Sequence, residues 1–236
     1  MRTIAILPVK SFGAAKQRLS DMLGGGARSA LAQAMFSDVL ASLRHARSLD
    51  AIAVVTADRV ADSTAAGHGA IGIRDHEESG QSHAASLGIG WALEHGFDRA
   101  LLVPGDTPLL EPSELDDLLD RAEKRSPGVV IVPDRHGTGT NALLLCPPDA
   151  IAPSFGPGSR ARHEEAARAA AVTVALEEPP SLVLDVDTPE DLAELSGRLG
   201  ARRGQAPMTR GTLMQLERTR SRGPRAAGRP RQAARA

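Results

Sequence analysis

"RALLVPGDTPLLEPSEL", residues 99–115, decides the reading of the fold. Its apolar run at 100–103 has the length of a buried strand, and Pro104 and Gly105 break it. Asp106 follows, and Glu111, Pro112 and Ser113 then write a helix start with proline at the first turn. The same alternation runs outward in both directions. Strands are expected at 3–9, 51–56, 70–73, 100–103, 128–132, 142–145, 172–176 and 182–184, with helices at 28–46, 82–95, 112–124, 160–170 and 188–199. Apolar runs separated by helix-period segments argue for an α/β fold: a mostly parallel sheet with helices on both faces.

Composition divides the chain in two. From residue 201 to 236 there are ten arginines and a single acid, Glu217, while residues 1–200 carry a net charge of −10. The expected organisation is one domain over 1–200 and a basic, disordered tail over 201–236, because the tail has few apolar anchors to offset its ordering entropy. Clustered arginines could bind a polyanion, yet aromatics make up only 2% of the chain and no tyrosine is present to stack on bases, so nucleic acid is not expected as a partner. No apolar run approaches the roughly 18 residues of a membrane span, and the start of the chain lacks a signal-peptide pattern; a soluble, cytoplasmic protein is expected. Cys146, the single cysteine, reads as a small buried hydrophobe.

In open parallel sheets ligands sit beyond the carboxyl ends of the strands. Residues just past those ends are Lys10 and the loop to Arg18, Asp75, Asp106, and the pair Asp185 and Asp187. "LPVKSFGAAKQRLS" (7–20) matches neither a Walker loop nor a dinucleotide fingerprint, but Lys10, Lys16 and Arg18 around a Gly-Ala-Ala turn suit a polyphosphate. Asp106 lies too far before the helix start at Glu111–Ser113 to cap it. A carboxylate at that edge can instead hold Mg²⁺, which is bound through one or two carboxylates with phosphate oxygens and waters completing its octahedron.

In "LVLDVDTPEDLAEL" (182–195), Thr188 to Asp191 are explained as a helix start. Asp185 and Asp187 are not. Either could share the metal, and Asp187, further past the strand end, is the favoured partner of Asp106. Gly80 and Ser82, opening a helix with small residues, allow close approach of a flat ring or a phosphate. "FGPGSRARHEEAA" (155–167) leads glycines into a helix N-terminus, with Arg160, Arg162 and His163 expected to add positive charge there.

Taken together, "LPVKSFGAAKQRL", "GDTPLL", "GTGTNALLL", "FGPGSRARHEEAA" and "LDVDTPEDL", in this order, resemble the CofC/FbiD family of coenzyme F-420 biosynthesis over residues 1 to about 198. The resemblance implies a Rossmann-like GT-A nucleotidyltransferase fold. It also implies transfer of GMP from GTP to phosphoenolpyruvate, giving enolpyruvoyl-2-diphospho-5′-guanosine and pyrophosphate. By the same resemblance Thr140, Gly156 and Ser159 bind phosphoenolpyruvate, Asp106 and Asp187 hold Mg²⁺, and Lys16 and Arg18 stabilise the departing pyrophosphate. Lys10, Gly80 and Ser82 join Lys16 around the nucleotide. GTP and phosphoenolpyruvate are thus the expected partners, with a homodimer allowed. The alternatives are 2-phospho-L-lactate as acceptor, a nucleotidyltransferase for a sugar phosphate or molybdenum cofactor, or a non-catalytic nucleotide-binding module. The departure from the more general nucleotidyltransferase opening is the replacement of LAxGxGxR by "LPVKSFGAAKQR", which leaves fewer glycines around a triphosphate.

Overall fold

The chain alternates strands and helices from its first residues in the computed structural model, which describes residues 1–201 and 204–221. In chain order the elements are β1 (Thr3–Pro8), α1 (Gly25–His45), β2 (Ala51–Thr56), α2 (Arg59–Gly67), β3 (Ile71–Arg74), α3 (Gln81–Glu94) and β4 (Arg99–Leu102). They continue with α4 (Pro112–Arg125), β5 (Val129–Pro133), β6 (Thr140–Leu145), α5 (Ser159–Ala169), β7 (Val174–Leu176), α6 (Pro189–Ala201) and α7 (Pro207–Ser221). The strands form one sheet in the order β3-β2-β1-β4-β6-β5-β7.

All neighbours are parallel except β6, which runs antiparallel to both β4 and β5. Only residues 134–139 join β5 to β6, too few for a crossover, so a hairpin is the sole connection available. Alternation along the strands sorts the core into two layers. Ala5, Leu7, Val54, Leu101, Val130 and Leu144 face α1, α2 and α4. Ile4, Ile6, Val55, Leu102, Ile131 and Leu143 face α3 and α5. Helix α3 lies so close to the sheet that a Cβ on Gly88 would come within 2.4 Å of the Ile6 side chain. That close approach fixes where the N-terminus of α3 meets the carboxyl ends of the strands.

One expected strand is corrected, and one helix, α2, is added to those expected. Residues 182–184 are not a strand: Leu182 donates its N–H to Pro179 O in a turn, although Leu182, Leu184 and Val186 are all buried. Two prolines, Pro179 and Pro180, remove ladder donors just ahead of the segment. Helix α2 carries only two buried residues, Ala61 and Ala65, so its short, alanine-rich sequence has little apolar period to read.

The tail is corrected as well. Residues 207–221 form α7, which lies against α1 and adds Leu213 and Leu216 to a third cluster containing Leu31, Met35, Leu195 and Leu199. Its first amides are capped from a distant helix: buried Asp38 accepts from Met208 N at 3.1 Å and Thr209 N at 2.7 Å. Residues 222–236 of the expected tail lie outside the described residues. Asp38→Ala removes both acceptors and is expected to cost about 1–2 kcal/mol, the upper range for loss of a helix cap. Urea unfolding of the two proteins checks it; an unchanged midpoint would mean that α7 adds no stability through this cap.

Candidate active site

The sheet order changes direction at β1, whose neighbours β2 and β4 are reached by connections running opposite ways. A crevice therefore opens past the carboxyl ends of β1 and β4. Here the structure has a cleft of about 390 Å³. Lys10, Lys16, Arg18, Gly80, Asp106 and Asp187 all line it, so six expected site residues meet in one place. Asp75 lines it too, its Oδ1 accepting from the N–H groups of Glu77 and Glu78.

The loop after β1 is built to deliver Lys16. Asp58 Oδ2 accepts from Phe12 N at 2.8 Å, and the Phe12 ring lies against Phe36 with centroids 5.8 Å apart. Two 3-10 turns, Phe12–Ala14 and Gln17–Leu19, flank Lys16, which sits in the left-handed region at φ 55°. That conformation is uncommon for a residue with a Cβ and marks a side chain held in a set direction. The Lys16 ammonium donates to Asp106 Oδ2 and, at 2.9 Å, to Asp187 Oδ1. Its side chain is only 7% exposed. Burial opposes the charge, yet the facing carboxylates of Asp106 and Asp187 outweigh it and hold the ammonium above the ordinary lysine range.

Asp106 and Asp187 are brought together through the backbone: Val186 N donates to Asp106 O at 3.2 Å. Asp187 N and Thr188 N both donate to Asp191, which is paired with Arg135 at 2.8 Å. Two carboxylates directed at one cation are hard oxygen donors of the kind that Mg²⁺ takes. Among the described residues no group of three or more His, Cys, Asp or Glu side chains is arranged around a metal, so an ion here would rest on this pair and on substrate oxygens. Asp185, the alternative partner, makes a different contact: its Oδ1 accepts from Asn141 Nδ2 at 3.3 Å.

Burial first, and then the charges of Asp106 and Asp187, push the Asp185 carboxyl up to about 6. The folded protein therefore binds this proton more tightly than the unfolded chain, whose aspartates titrate near about 3.9. Stability contributed by the protonated form is present in full below about pH 4 and is lost as pH rises through 6. Asp185→Asn is expected to flatten that slope in metal-free protein and to raise the melting temperature at pH 8. Thermal melts in chelator from pH 4 to 8 measure it; parallel curves for the two proteins would reject the assignment.

The residues expected around an acceptor form a second group beside the cleft. Thr140 opens β6, next to Asn141, which joins it to Asp185 and to Leu182 O. Gly156 and Gly158 take positive φ, 105° and 71°, turning the chain into α5, where Ser159 is buried with its N–H donating to Gly156 O. None of Thr140, Gly156 and Ser159 is a lining residue of the cleft. Ser82 is not one either: its Oγ accepts from Phe155 N at 2.9 Å and ties α3 to the loop before α5.

The cations expected at α5 are also reassigned. Arg162 spends its donors on Ser154, Phe155, Gly156 and Pro157, shaping the loop from within. Arg160 pairs with Glu164 and donates to Gly137 O. His163 is fully buried, and burial with the nearby Arg162 charge pushes its pKa down to about 4, so it is neutral rather than a source of charge. Cys146 is half-buried, and burial raises its thiol. No described helix is long and apolar enough to cross a membrane.

The family described as "Guanylyl transferase CofC like" matches residues 3–202. The chain belongs to this family. It is 51% identical over 219 residues to the phosphoenolpyruvate guanylyltransferase of Conexibacter woesei, covering 93% of this chain and 98% of that one. A 2-phospho-L-lactate guanylyltransferase from Methanothermobacter thermautotrophicus is 36% identical, over 83% of this chain and 84% of the relative. Among solved structures, a nucleotidyl transferase from the same species superposes with a TM-score of 0.62 at 15% identity, covering 85% of this chain and 98% of the other. At that identity the likeness speaks to the fold, which is that of the nucleotidyltransferases. This member of the CofC-like family is a nucleotidyltransferase, and the family boundary at 202 falls just before α7.

Proposed function

We propose that this chain transfers the guanylyl group of GTP to phosphoenolpyruvate, a step of coenzyme F-420 biosynthesis in the cytoplasm. The observation that carries the reading is the convergence of Asp106, Asp187 and Lys16 at the carboxyl edge of β1 and β4, in a cleft that also holds Lys10 and Arg18. An oxygen of the acceptor phosphate attacks the α-phosphorus of GTP, and the bond to the bridging oxygen breaks as pyrophosphate leaves. The attacking group is anionic near neutral pH, so no general base is needed and catalysis rests on positioning and charge neutralisation.

Asp106 and Asp187 would hold Mg²⁺, which when bound neutralises charge on the reacting phosphates. Lys16 and Arg18 neutralise the departing pyrophosphate, and Lys10 assists from the outer end of the loop. A Cβ at Gly80 would meet no neighbouring atom within 4 Å, which leaves room for the nucleotide at the start of α3. Thr140, Gly156 and the start of α5 would anchor the acceptor; phosphoenolpyruvate as that acceptor is supported by the 51% identical relative named for it.

The test is product mass spectrometry after incubation with GTP, Mg²⁺ and either phosphoenolpyruvate or 2-phospho-L-lactate. The guanosine diphosphate adduct of enolpyruvate is expected. Adduct from 2-phospho-L-lactate alone, or none from either, would reject the reading.

A further inference from the structure

One buried imidazole links the two parts of the acceptor region, and its hydrogen bonds define its chemical form. His163 Nε2 lies 2.8 Å from Ser154 N, and a backbone amide can only donate. Nε2 is therefore the unprotonated, accepting nitrogen. The ring is neutral with its proton on Nδ1, which lies 3.0 Å from Thr140 Oγ1. His163 then donates to Thr140 and fills one lone pair of that hydroxyl. Thr140 cannot return its proton to the ring, and the O–H makes no other hydrogen bond among the described residues.

The surroundings hold this arrangement. His163 has no exposed surface, and the Phe155 ring packs edge-on against it with centroids 5.3 Å apart. Arg162, next in sequence, is committed to the oxygens of the 154–157 loop. The low pKa of the ring agrees with the neutral form but is not needed to derive it.

We propose that His163 is a positioning residue: as the Nδ1-protonated tautomer it orients the Thr140 hydroxyl to donate toward an acceptor-only anion, and it holds the Ser154–Phe155 backbone alongside. A phosphate or carboxylate oxygen fits such a donor. This rests on the reading of Thr140 as a contact of the phosphorylated acceptor, so the experiment separates the two.

Steady-state kinetics are measured for Thr140→Val, His163→Leu and the double variant in the full chain. Each single variant is expected to raise KM for phosphoenolpyruvate roughly 10- to 100-fold, the range for losing a hydrogen bond to a charged group. KM for GTP should stay unchanged. Because both changes remove one interaction, the double variant should be no worse than Thr140→Val. Effects that multiply, or a KM for GTP that rises equally, would overturn the proposal while leaving Thr140 as a contact. An unchanged KM in Thr140→Val would overturn the contact itself and the proposal with it. Should His163→Leu melt below the assay temperature, His163→Gln carries the test, since an amide can both donate and accept; it should recover part of the affinity. Nitrogen-15 NMR of the wild-type imidazole at pH 7 gives an independent answer: an Nε2-protonated or cationic ring contradicts the proposal.

Discussion

Asp106→Asn is expected to lower pyrophosphate release from GTP and phosphoenolpyruvate by about 10²- to 10³-fold, the scale on which loss of one preorganised electrostatic group is felt in an active site. The amide keeps the shape of the side chain and its place after β4, but it removes the charge that faces Lys16 and would face a divalent ion. The loss should fall on kcat more than on KM for either substrate, because the group acts where phosphate charge is redistributed. Asp187→Asn should follow the same direction. Asp185→Asn should not, since Asp185 is turned to Asn141. The comparison of these three variants at saturating Mg²⁺, with folding monitored by circular dichroism, decides the assignment. Wild-type turnover in Asp106→Asn would remove the carboxylate pair from the chemistry.

How far the sequence speaks differs from element to element. The strand before Asp106 is legible because strands of a covered parallel sheet are apolar on both faces, and 100–103 is buried throughout. Its acid is legible for the same reason, as the first acidic residue beyond a buried run. What cannot be read locally are contacts that close over long separations. Lys16 stands out in sequence as one of three cations in a loop, but its placement between Asp106 and Asp187 depends on a left-handed backbone and on two segments 90 and 171 residues away. Helix α7 is hidden by its basic composition, since its cap, Asp38, is 170 residues upstream of Met208. Composition registers how many arginines a segment has; it does not register a stripe of Leu213 and Leu216 that has a partner waiting on α1. His163 fails in the opposite direction. Its residue type suggests charge at a helix start, and only burial beneath the loop reveals that the ring is neutral.

Lys16→Met is expected to separate two quantities that fall together in Asp106→Asn. Turnover should drop by about 10²- to 10³-fold, because the ammonium is the buried cation best placed to meet phosphate charge as pyrophosphate departs. Metal binding should move the other way. In the free protein Lys16 lies between the two carboxylates and competes with any second cation for the same oxygens. A unit charge at about 4 Å in a medium of effective dielectric 20 is worth about 4 kcal/mol, which sets the scale of that competition before desolvation is counted. Removing it leaves Asp106 and Asp187 facing each other unneutralised, and Mg²⁺ becomes the available remedy. The variant should therefore show tighter Mg²⁺ binding by titration calorimetry, and more thermal stabilisation by added Mg²⁺ than the wild type, even as its kcat falls. Lys16→Arg should keep a cation in the site but weaken the competition, since a planar guanidinium cannot take the position of a compact ammonium between two converging carboxylates. Equal Mg²⁺ affinity in Lys16→Met and wild type would mean that the lysine and the metal do not share the Asp106 and Asp187 oxygens.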